Sequence, residues 1–405
     1  MLNKVGGLTI NARNYPLPTR PVVVACLDGL DPTYLDAASR LGSTPFLDEL
    51  RAICGDLRAQ SAIPSFTNPN NMSIITGEPP RTHGICGNYF YDPAQDVEVM
   101  LNDPSYLRCE TILAVAAAAG LSVGAVTAKA KLARLLASGL PDPDAVIALE
   151  TLTLPEAKNL NLNELPQIYS SDISVAVLRV GLTLLNTTRP DLLYLSTTDY
   201  VQHLYAPGDA EAIAQVEAFD RVLSKIHDQD VTLIVTADHG MNGKTRQDGT
   251  PDAVYLTSEI EAAFPDASVR VILPITDPYV AHHGAFGSFA TIYADNKSTG
   301  GIVEFLQSLP QVEEALTGDL AAAKFDLPRD RIGDICVVAT PSGVFGKTLE
   351  DHDLSALHRP LRSHGGLHEQ TVPFLVNCPV TAGRLPNSLR NFDAFWVAMN
   401  AAVEN

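Results

Sequence analysis

The chain has 405 residues, of which 46% are hydrophobic and 19% charged, and its formal net charge at pH 7 is −19. This composition is typical of a compact globular protein and excludes a largely disordered one. The length predicts either one large core with an inserted second domain or two domains. The acidic balance argues against a nucleic-acid partner, because phosphate backbones bind basic surfaces. It does not exclude a small anionic substrate.

Neither a signal peptide nor a membrane span is predicted. The first ten residues lack a long apolar run with a small-residue cleavage site. No stretch approaches the ~20 uninterrupted apolar residues of a membrane helix. The six cysteines are scattered, without a Cys-x-x-Cys pair. This scattered spacing is typical of reduced, mostly buried thiols rather than of disulfides, so we expect a cytoplasmic protein.

The first predicted buried strand covers residues 22–27 and ends in Asp28-Gly29. A carboxylate at the exit of an apolar strand is a possible metal ligand. An Asp-Gly pair is also common in turns. On this stretch alone, both interpretations of Asp28 stay open.

Residues 61–77 predict a loop followed by a helix start at 70–75, which Gly77 closes. Thr67 then lies at a helix N-terminus, where free backbone N–H groups favour an anion. Its hydroxyl is either an N-cap or a nucleophile aimed at a phosphorus centre. Asn88, further along, either donates to an anionic oxygen or holds a turn.

A helix over 111–119 and a strand over 122–127 lead to Lys129 and Lys131. Two lysines after a strand could form an exposed edge that discourages aggregation. They could also reach over a crevice to hold an anion.

A helix over 171–187 and a buried strand over 192–198 precede Asp199 and His203. If the segment begins a helix, residues at i and i+4 lie on one face, which suits a metal site. The alternative is an aspartate N-cap with an incidental histidine.

After a helix over 210–228, the apolar run 231–240 predicts a strand buried on both faces that ends in Asp238, His239 and Gly240. Buried charge is costly unless it is paired or metal-bound. Asp238 and His239 are therefore candidate metal ligands, and a polar turn is the alternative.

From 245 to 357 the pattern changes to short strands and helices, which predicts a smaller α+β cap domain inserted into a core of residues 1–244 and 358–405. Its expected elements are strands at 269–273, 289–294 and 335–339 and helices at 299–309 and 318–324. His282 and His283 are interpreted as a loop pair, with substrate contact from above as the alternative.

The segment 362–376 returns to the core, with His364 and His368 on a glycine-hinged loop before a last strand. One of these histidines could complete a metal site. A helix over 392–403 is expected to pack on the sheet.

Four predicted strands end in or just before Asp28, Lys129, Asp199 or Asp238. Ligands bind beyond the carboxyl ends of the strands in an open parallel sheet. Three aspartates, three histidines and one threonine are enough ligands for two cations. Two metals ~4 Å apart can activate an attacking oxygen and neutralise the charge of the transferred group. Carboxylates with imidazoles suit zinc or manganese, with zinc as the first choice.

The motifs at 22–29, 65–71, 199–203, 236–241 and 363–366 resemble the metal-binding motifs of the alkaline phosphatase superfamily. They are most similar to its nucleotide pyrophosphatase/phosphodiesterase-like branch. The resemblance implies an α/β, alkaline-phosphatase-like three-layer fold with a mostly parallel central sheet and a smaller inserted α+β cap domain.

The resemblance also implies two Zn²⁺ per chain, with Mn²⁺ or Fe²⁺ as possible substitutes. One set of ligands would be Asp28, Thr67, Asp238 and His239. The other would be Asp199, His203 and His364, with His368 as the alternative to His364.

The lysine pair and Asn88 are similar to those of branch members that hydrolyse the carbon–phosphorus bond of phosphonoacetate. This resemblance implies that Thr67 attacks phosphorus and becomes phosphorylated while Asn88 binds the phosphoryl oxygens. Lys129 and Lys131 would hold the carboxylate and stabilise the carbanion that leaves.

The expected partner is a small anionic phosphonate, without nucleic acid or membrane, and a homodimer is expected. The alternatives are a phosphodiesterase, nucleotide pyrophosphatase or phosphomonoesterase with the same metals. A non-catalytic protein that binds zinc or phosphonate is a further alternative.

Overall fold

The computed structural model describes residues 6–276, 283–355 and 357–402. The strands are β1 (Leu8–Ile10), β2 (Arg13–Tyr15), β3 (Val22–Cys26), β4 (Arg58–Gln60), β5 (Tyr89–Asp92), β6 (Val97–Met100), β7 (Val123–Thr127), β8 (Val146–Ala148), β9 (Leu192–Ser196), β10 (Thr232–Thr236), β11 (Asn242–Gly243), β12 (Ala253–Tyr255), β13 (Val269–Ile272), β14 (Phe289–Ala294), β15 (Val312–Thr317), β16 (Ile335–Ala339), β17 (Val344–Gly346), β18 (Arg362–Ser363) and β19 (Thr371–Val376). The α-helices are α1 (Pro32–Arg40), α2 (Pro45–Cys54), α3 (Thr67–Thr76), α4 (Pro80–His83), α5 (Ile112–Ala118), α6 (Ala130–Leu136), α7 (Leu154–Asn159), α8 (Ser171–Thr187), α9 (Tyr200–Leu204), α10 (Ala210–His227), α11 (Leu256–Ala263), α12 (Thr299–Gln307), α13 (Gly318–Phe325) and α14 (Ala394–Asn400).

The central sheet has seven strands in the order β4-β19-β10-β3-β9-β7-β8. The five strands from β10 to β8 are all parallel to one another. β19 runs antiparallel to β10, and β4 runs antiparallel to β19. The prediction of a mostly parallel central sheet is therefore confirmed.

The three middle strands are buried along their whole length, which is why their sequences are continuous apolar runs rather than alternating ones. The helices that cover the sheet form two groups with contacts within each group. One group is α1, α2, α8 and α10, and the other is α3, α5, α6 and α14. These two groups and the sheet are the layers of the α/β fold.

The predicted strands that lead to the candidate ligands all occur, and each ends before its polar residue. The strand predicted within the run 231–240 is β10, which ends at Thr236, just before Asp238, because the ladders with β3 and β19 end there. The predicted helices 111–119, 171–187 and 210–228 are confirmed as α5, α8 and α10.

Two predicted helix boundaries are wrong. The helix expected to start near residue 70 begins at Thr67. Pro69 is tolerated there because it occupies the first turn, where a backbone N–H has no partner within the helix. The helix expected over 392–403 is α14, which begins after a tight turn at Asn391–Asp393. Residue 403 lies outside the described residues.

A second sheet, in the order β13-β14-β16-β15, is antiparallel throughout and lies within the segment predicted as a cap domain. It has its own apolar core, in which Ile260, Ile302 and Leu306 from the helices pack with Val271 and Ile292 from the strands. The α+β character of this segment is confirmed. The boundaries at 244/245 and 357/358 stay a prediction.

No helix in the described part of the chain is long and apolar enough to span a membrane. All six cysteines are free thiols.

Candidate active site

The candidate site lies at the carboxyl ends of four neighbouring parallel strands. Asp28 follows β3, Lys129 follows β7, Asp199 follows β9 and Asp238 follows β10. Because these strands are adjacent, the residues that follow them meet in one crevice.

Two overlapping groups of side chains could each hold a metal ion. Asp28, Asp238 and His239 form one group, and Asp199, His239 and His364 form the other. Within each group the ligand atoms all lie within 4.8 Å of one another. His203 adjoins the second group, because its Nε2 lies 2.9 Å from Asp199 Oδ2.

The three histidines of this cluster are held in the same tautomer. The Nδ1 atoms of His203, His239 and His364 contact the backbone carbonyl oxygens of Arg362, Gly240 and Ser65 at 2.8, 2.9 and 2.8 Å. A carbonyl oxygen can only accept, so each Nδ1 carries the hydrogen. Each Nε2 is thus the ring nitrogen that would bind a cation, as in metal sites where a second partner fixes the ring.

The three aspartates are almost completely buried, with exposures of 3% for Asp28, 7% for Asp199 and 0% for Asp238. Burial raises the pKa values of Asp28 and Asp238, and the charge of Asp199 raises both further. Burial also acts to raise the pKa of Asp199, but His203 and His364 outweigh this effect and hold the pKa of Asp199 well below its usual range.

This set of side chains fits bound cations. Among the described residues, the ion pairs of the three aspartates are all with histidines of the cluster. The Oδ1 atom of Asp28 is buried, and it lies 3.2 Å from His239 Nε2 without the geometry of a hydrogen bond. Buried carboxylates normally pair with a cation or coordinate a metal, so metal ions would supply the charge that these lack.

Thr67 is the first residue of α3, and its Oγ1 lies 3.4 Å from His239 Nε2. The N-cap position belongs to Phe66, so the alternative interpretation of Thr67 as an N-cap is wrong. Asp199 does occupy the N-cap position of α9, but its side chain makes no capping hydrogen bond. Both side chains are therefore directed to the cluster rather than to their helices.

Asn88 and the two lysines line a small pocket of about 70 Å³ together with Asp28 and Thr67. The Oδ1 atom of Asn88 accepts a hydrogen bond from the Asn68 backbone N–H at 3.2 Å, which leaves its amide hydrogens for another partner. Thr127, Thr197 and Thr198 also line the pocket. This lining suits a small molecule with several anionic oxygens.

The lysines do not protect a sheet edge. β7, which precedes Lys129, lies between β9 and β8 inside the sheet. Lys129 is the residue before α6, and both lysines are partly exposed towards the pocket. The interpretation of Lys129 and Lys131 as an edge device is therefore wrong.

Of the remaining histidines, His368 and His83 lie apart from the metal-ligand groups, whereas His283 packs against His203. His368 is directed away from the cluster, with Nε2 2.5 Å from Glu313 Oε2 on β15. His83 is buried against Ser73. His283 is buried with its ring centroid 5.0 Å from that of His203. His282 lies outside the described residues.

Asn71 is a buried residue of the site that the sequence analysis missed. Its Nδ2 donates to Asp238 Oδ2 at 3.2 Å and to the Thr67 carbonyl at 2.9 Å. Its Oδ1 accepts from the Tyr194 hydroxyl at 2.7 Å and from Ser196 Oγ at 2.8 Å. Its place in the motif at 65–71 was the available signal.

Comparison with solved structures gives a match over nearly the whole chain. Phosphonoacetate hydrolase from Sinorhizobium meliloti 1021 in complex with phosphonoformate is 46% identical with a TM-score of 0.92, and the match covers 98% of this chain and 99% of that one. The same hydrolase in complex with phosphonoacetate is 45% identical with the same TM-score and coverage. The fold that the resemblance implied is thus confirmed.

Comparison with curated proteins gives a more distant match. Human ectonucleotide pyrophosphatase/phosphodiesterase family member 1 is 25% identical over 249 residues, which are 55% of this chain and 24% of that protein. The chain thus matches about a quarter of the length of this relative. The family model described as type I phosphodiesterase / nucleotide pyrophosphatase matches residues 22–367. This match covers most of the chain and includes the strand ends and the buried cluster. The chain therefore belongs to the type I phosphodiesterase / nucleotide pyrophosphatase family.

Proposed function

We propose that the protein hydrolyses the carbon–phosphorus bond of phosphonoacetate to acetate and phosphate, with two zinc ions and a phosphothreonine intermediate on Thr67. The observation that carries the proposal is the shared pocket of Thr67, Asn88, Lys129 and Lys131 beside the buried cluster. The complexes of a 45–46% identical hydrolase with phosphonoacetate and phosphonoformate support this choice of substrate.

The metal ligands that we propose are seven side chains. Asp28, Thr67, Asp238 and His239 would hold one zinc ion, and Asp199, His203 and His364 the other. Mixed carboxylate and imidazole sets suit zinc. Bound zinc would lower the pKa of a coordinated hydroxyl and neutralise the charge of phosphoryl oxygens.

Thr67 acts as the nucleophile. Its hydroxyl gives its proton to water as the oxygen attacks phosphorus, a new P–O bond forms, and the P–C bond breaks with its electron pair going to carbon. The α3 N-terminus and the Asn88 amide donate hydrogen bonds to the phosphoryl oxygens as their charge develops. Water then hydrolyses the phosphothreonine, which releases phosphate and restores Thr67.

The lysine pair stabilises the leaving group, whose departure is the difficult step of this reaction. A carbanion leaves far less readily than an alkoxide unless an adjacent carboxylate delocalises its charge as an enediolate. Lys129 and Lys131 bind that carboxylate and stabilise the second charge as it forms. The carbon then takes a proton from water to give acetate.

The second candidate is a phosphodiesterase or phosphomonoesterase that uses the same cluster, and the family match favours it. Nucleotide sites commonly stack the base on an aromatic ring. Among the described residues, the pocket lining includes no aromatic side chain. This absence and the paired lysines support the phosphonate over a nucleotide ester.

The test is phosphate release from phosphonoacetate by the purified protein with added zinc, alongside a Lys129→Ala, Lys131→Ala double variant. We expect release that a chelator abolishes and that collapses in the double variant, while hydrolysis of a nitrophenyl phosphate ester survives. Lys158→Ala, at an exposed position of α7, is the control and should behave as the wild type. Brisk ester hydrolysis in both proteins with no release from phosphonoacetate would favour the second candidate.

The cytoplasmic location and the homodimer also stay predictions. The free cysteines support the first. Light scattering of the zinc-loaded protein would measure the second.

A further inference from the structure

Lys244 and Glu369 form an ion pair inside the protein, outside the pocket lining. Lys244 Nζ lies 2.8 Å from Glu369 Oε1, and the two side chains are 0% and 1% exposed. A fully buried lysine is rare, because removing two charges from water can cost more than their attraction returns. Stability alone is therefore a weak reason for this pair.

Glu369 anchors the loops that carry two of the cluster histidines. Its backbone oxygen accepts a hydrogen bond from Gly240 N–H at 2.7 Å, and its Oε2 accepts one from Gly366 N–H at 3.0 Å. Gly240 directly follows His239, and Gly366 lies two residues after His364. One residue thus fixes the backbone beside both histidines.

Lys244 connects this anchor to the inserted segment. Besides Glu369, its Nζ donates to the Pro341 carbonyl at 2.7 Å. Asn242 adds a second donor to Glu369 Oε1, at 2.6 Å. The pair therefore lies where the His239 loop, the His364 loop and the inserted segment meet.

We propose that the Lys244–Glu369 pair is a positioning pair, which sets the separation of His239 and His364 and through it the retention of metal by the cluster. The two imidazole rings are stacked, with centroids 3.6 Å apart and planes 6° from parallel. A shift of either loop would change this arrangement. The inference rests on the proposed function only in that these histidines bind metal.

Two variants test the pair. Glu369→Gln keeps the shape of the side chain but leaves one acceptor oxygen where Gly366, Asn242 and Lys244 now use two. Lys244→Met keeps the apolar stem and removes the donor. Because changes to the partners of ligating groups typically cost about 10–100-fold in metal affinity, we expect each variant to release zinc to a chromogenic chelator at least about tenfold faster.

A double Lys244→Met, Glu369→Gln variant covers the case in which a single variant leaves a buried charge unpaired and fails to fold. It contains neither charge, so it should fold and still release zinc rapidly. Arg51→Met is the matched control. It breaks the ion pairs of Arg51 with Asp36 at 2.7 Å and with Asp56 at 2.9 Å, neither of which involves a histidine loop, so its release rate should equal that of the wild type.

Release at the wild-type rate from the folded double variant would overturn the proposal, and so would equal acceleration in Arg51→Met. The assay measures zinc and uses no phosphonoacetate. A wild type that binds zinc but leaves phosphonoacetate intact would contradict the proposed reaction, and the release rates would still decide the role of the pair.

Discussion

His83 is a buried histidine that makes two hydrogen bonds through its ring nitrogens. Its Nδ1 accepts from the Ile85 backbone N–H at 3.1 Å, and its Nε2 lies 2.9 Å from Ser73 Oγ. A second proton would have to go on Nδ1, which faces a donor. Burial and the charge of Arg331 lower its pKa from 6.5 to about 3.

This shift makes His83 a source of acid sensitivity. The unfolded chain takes up a proton at this residue below pH 6.5, whereas the folded chain does so only near pH 3, so stability is lost as the pH falls through that window. We expect a His83→Gln variant to lose less stability than the wild type between pH 8 and pH 5, by about 2 kcal/mol. Urea unfolding of both proteins at the two pH values measures the difference, and parallel losses would contradict it.

Asn71 holds Asp238 through a chain of buried hydrogen bonds that begins at Tyr194 and Ser196. An Asn71→Ala variant would leave these two hydroxyls without their acceptor, so we expect the free energy of unfolding to fall by about 3 kcal/mol. Phosphate release should fall as well. Tyr194→Phe, which removes a single donor, should be milder, and an unfolding free energy in Asn71→Ala within about 0.5 kcal/mol of the wild type would refute the prediction.

The placement of these residues shows what the sequence could predict about the site. Asp28, Asp199 and Asp238 were predictable because each follows an apolar strand, a pattern that local sequence records. The Asn71 contacts with Tyr194 and Asp238 span 123 and 167 residues, and the Lys244 contact with Glu369 spans 125. No local pattern records such pairings, so they emerged only from the folded chain.

The hairpin of β5 and β6 forms one side of the pocket. Asn88 precedes it, and Met100 at its end also lines the pocket. Glu98 within it accepts hydrogen bonds from Tyr89 at 3.1 Å, from Arg270 at 3.1 Å and from Lys347 at 3.3 Å. The last two donors belong to the inserted segment, so Glu98 fixes the hairpin against it.

A Glu98→Gln variant should loosen this wall of the pocket. If about 1 kcal/mol of substrate binding is lost, KM for phosphonoacetate should rise about fivefold with a smaller change in kcat. Asp96→Asn is the control. Asp96 contacts the same arginine, but its side chain is 77% exposed and the distance is longer, at 3.4 Å. Steady-state kinetics decide the matter, and an unchanged KM in Glu98→Gln would exclude this role.

The elements themselves were predictable where the pattern was long and apolar. The strands before Asp28, Asp199 and Asp238 and the helices α8 and α10 are such cases. The antiparallel direction of β19 was not predictable, because its run of apolar residues fits either direction and the partner strand decides. Helix α3 was placed too late because Pro69 was interpreted as part of a loop.

The molecule as a whole holds three carboxylates in a buried space, so its stability should depend on metal. Burial, followed by the charges of Asp199 and Asp238, raises the pKa of Asp28 well above 3.8. In metal-free protein the folded state therefore keeps a proton that the unfolded state loses, and stability falls as the pH rises above 3.8 through this window.

The effect of Asp28→Asn on the free energy of unfolding should have opposite signs without and with bound zinc. Without zinc at pH 8 we expect the variant to be more stable than the wild type, because the uncharged amide avoids the buried negative charge. With zinc in excess the wild type should be the more stable, since binding at 100 times Kd adds about 2.7 kcal/mol per site. Urea unfolding with and without a chelator measures both, and a variant that is less stable in both conditions would argue against charge crowding.

The pairing of β4 with β19 has a consequence for the order in which the protein can be assembled during synthesis. β4 joins the central sheet through a ladder in which Gln60 pairs with Thr371, more than three hundred residues later. His364 is made equally late, long after Asp28 and Thr67. A nascent chain thus cannot complete the sheet or the metal cluster until the residues of β19 and His364 have left the ribosome. Contacts this distant in sequence slow folding, so a product that ends before β19 would keep β10 and β4 as open strand edges, which favour aggregation.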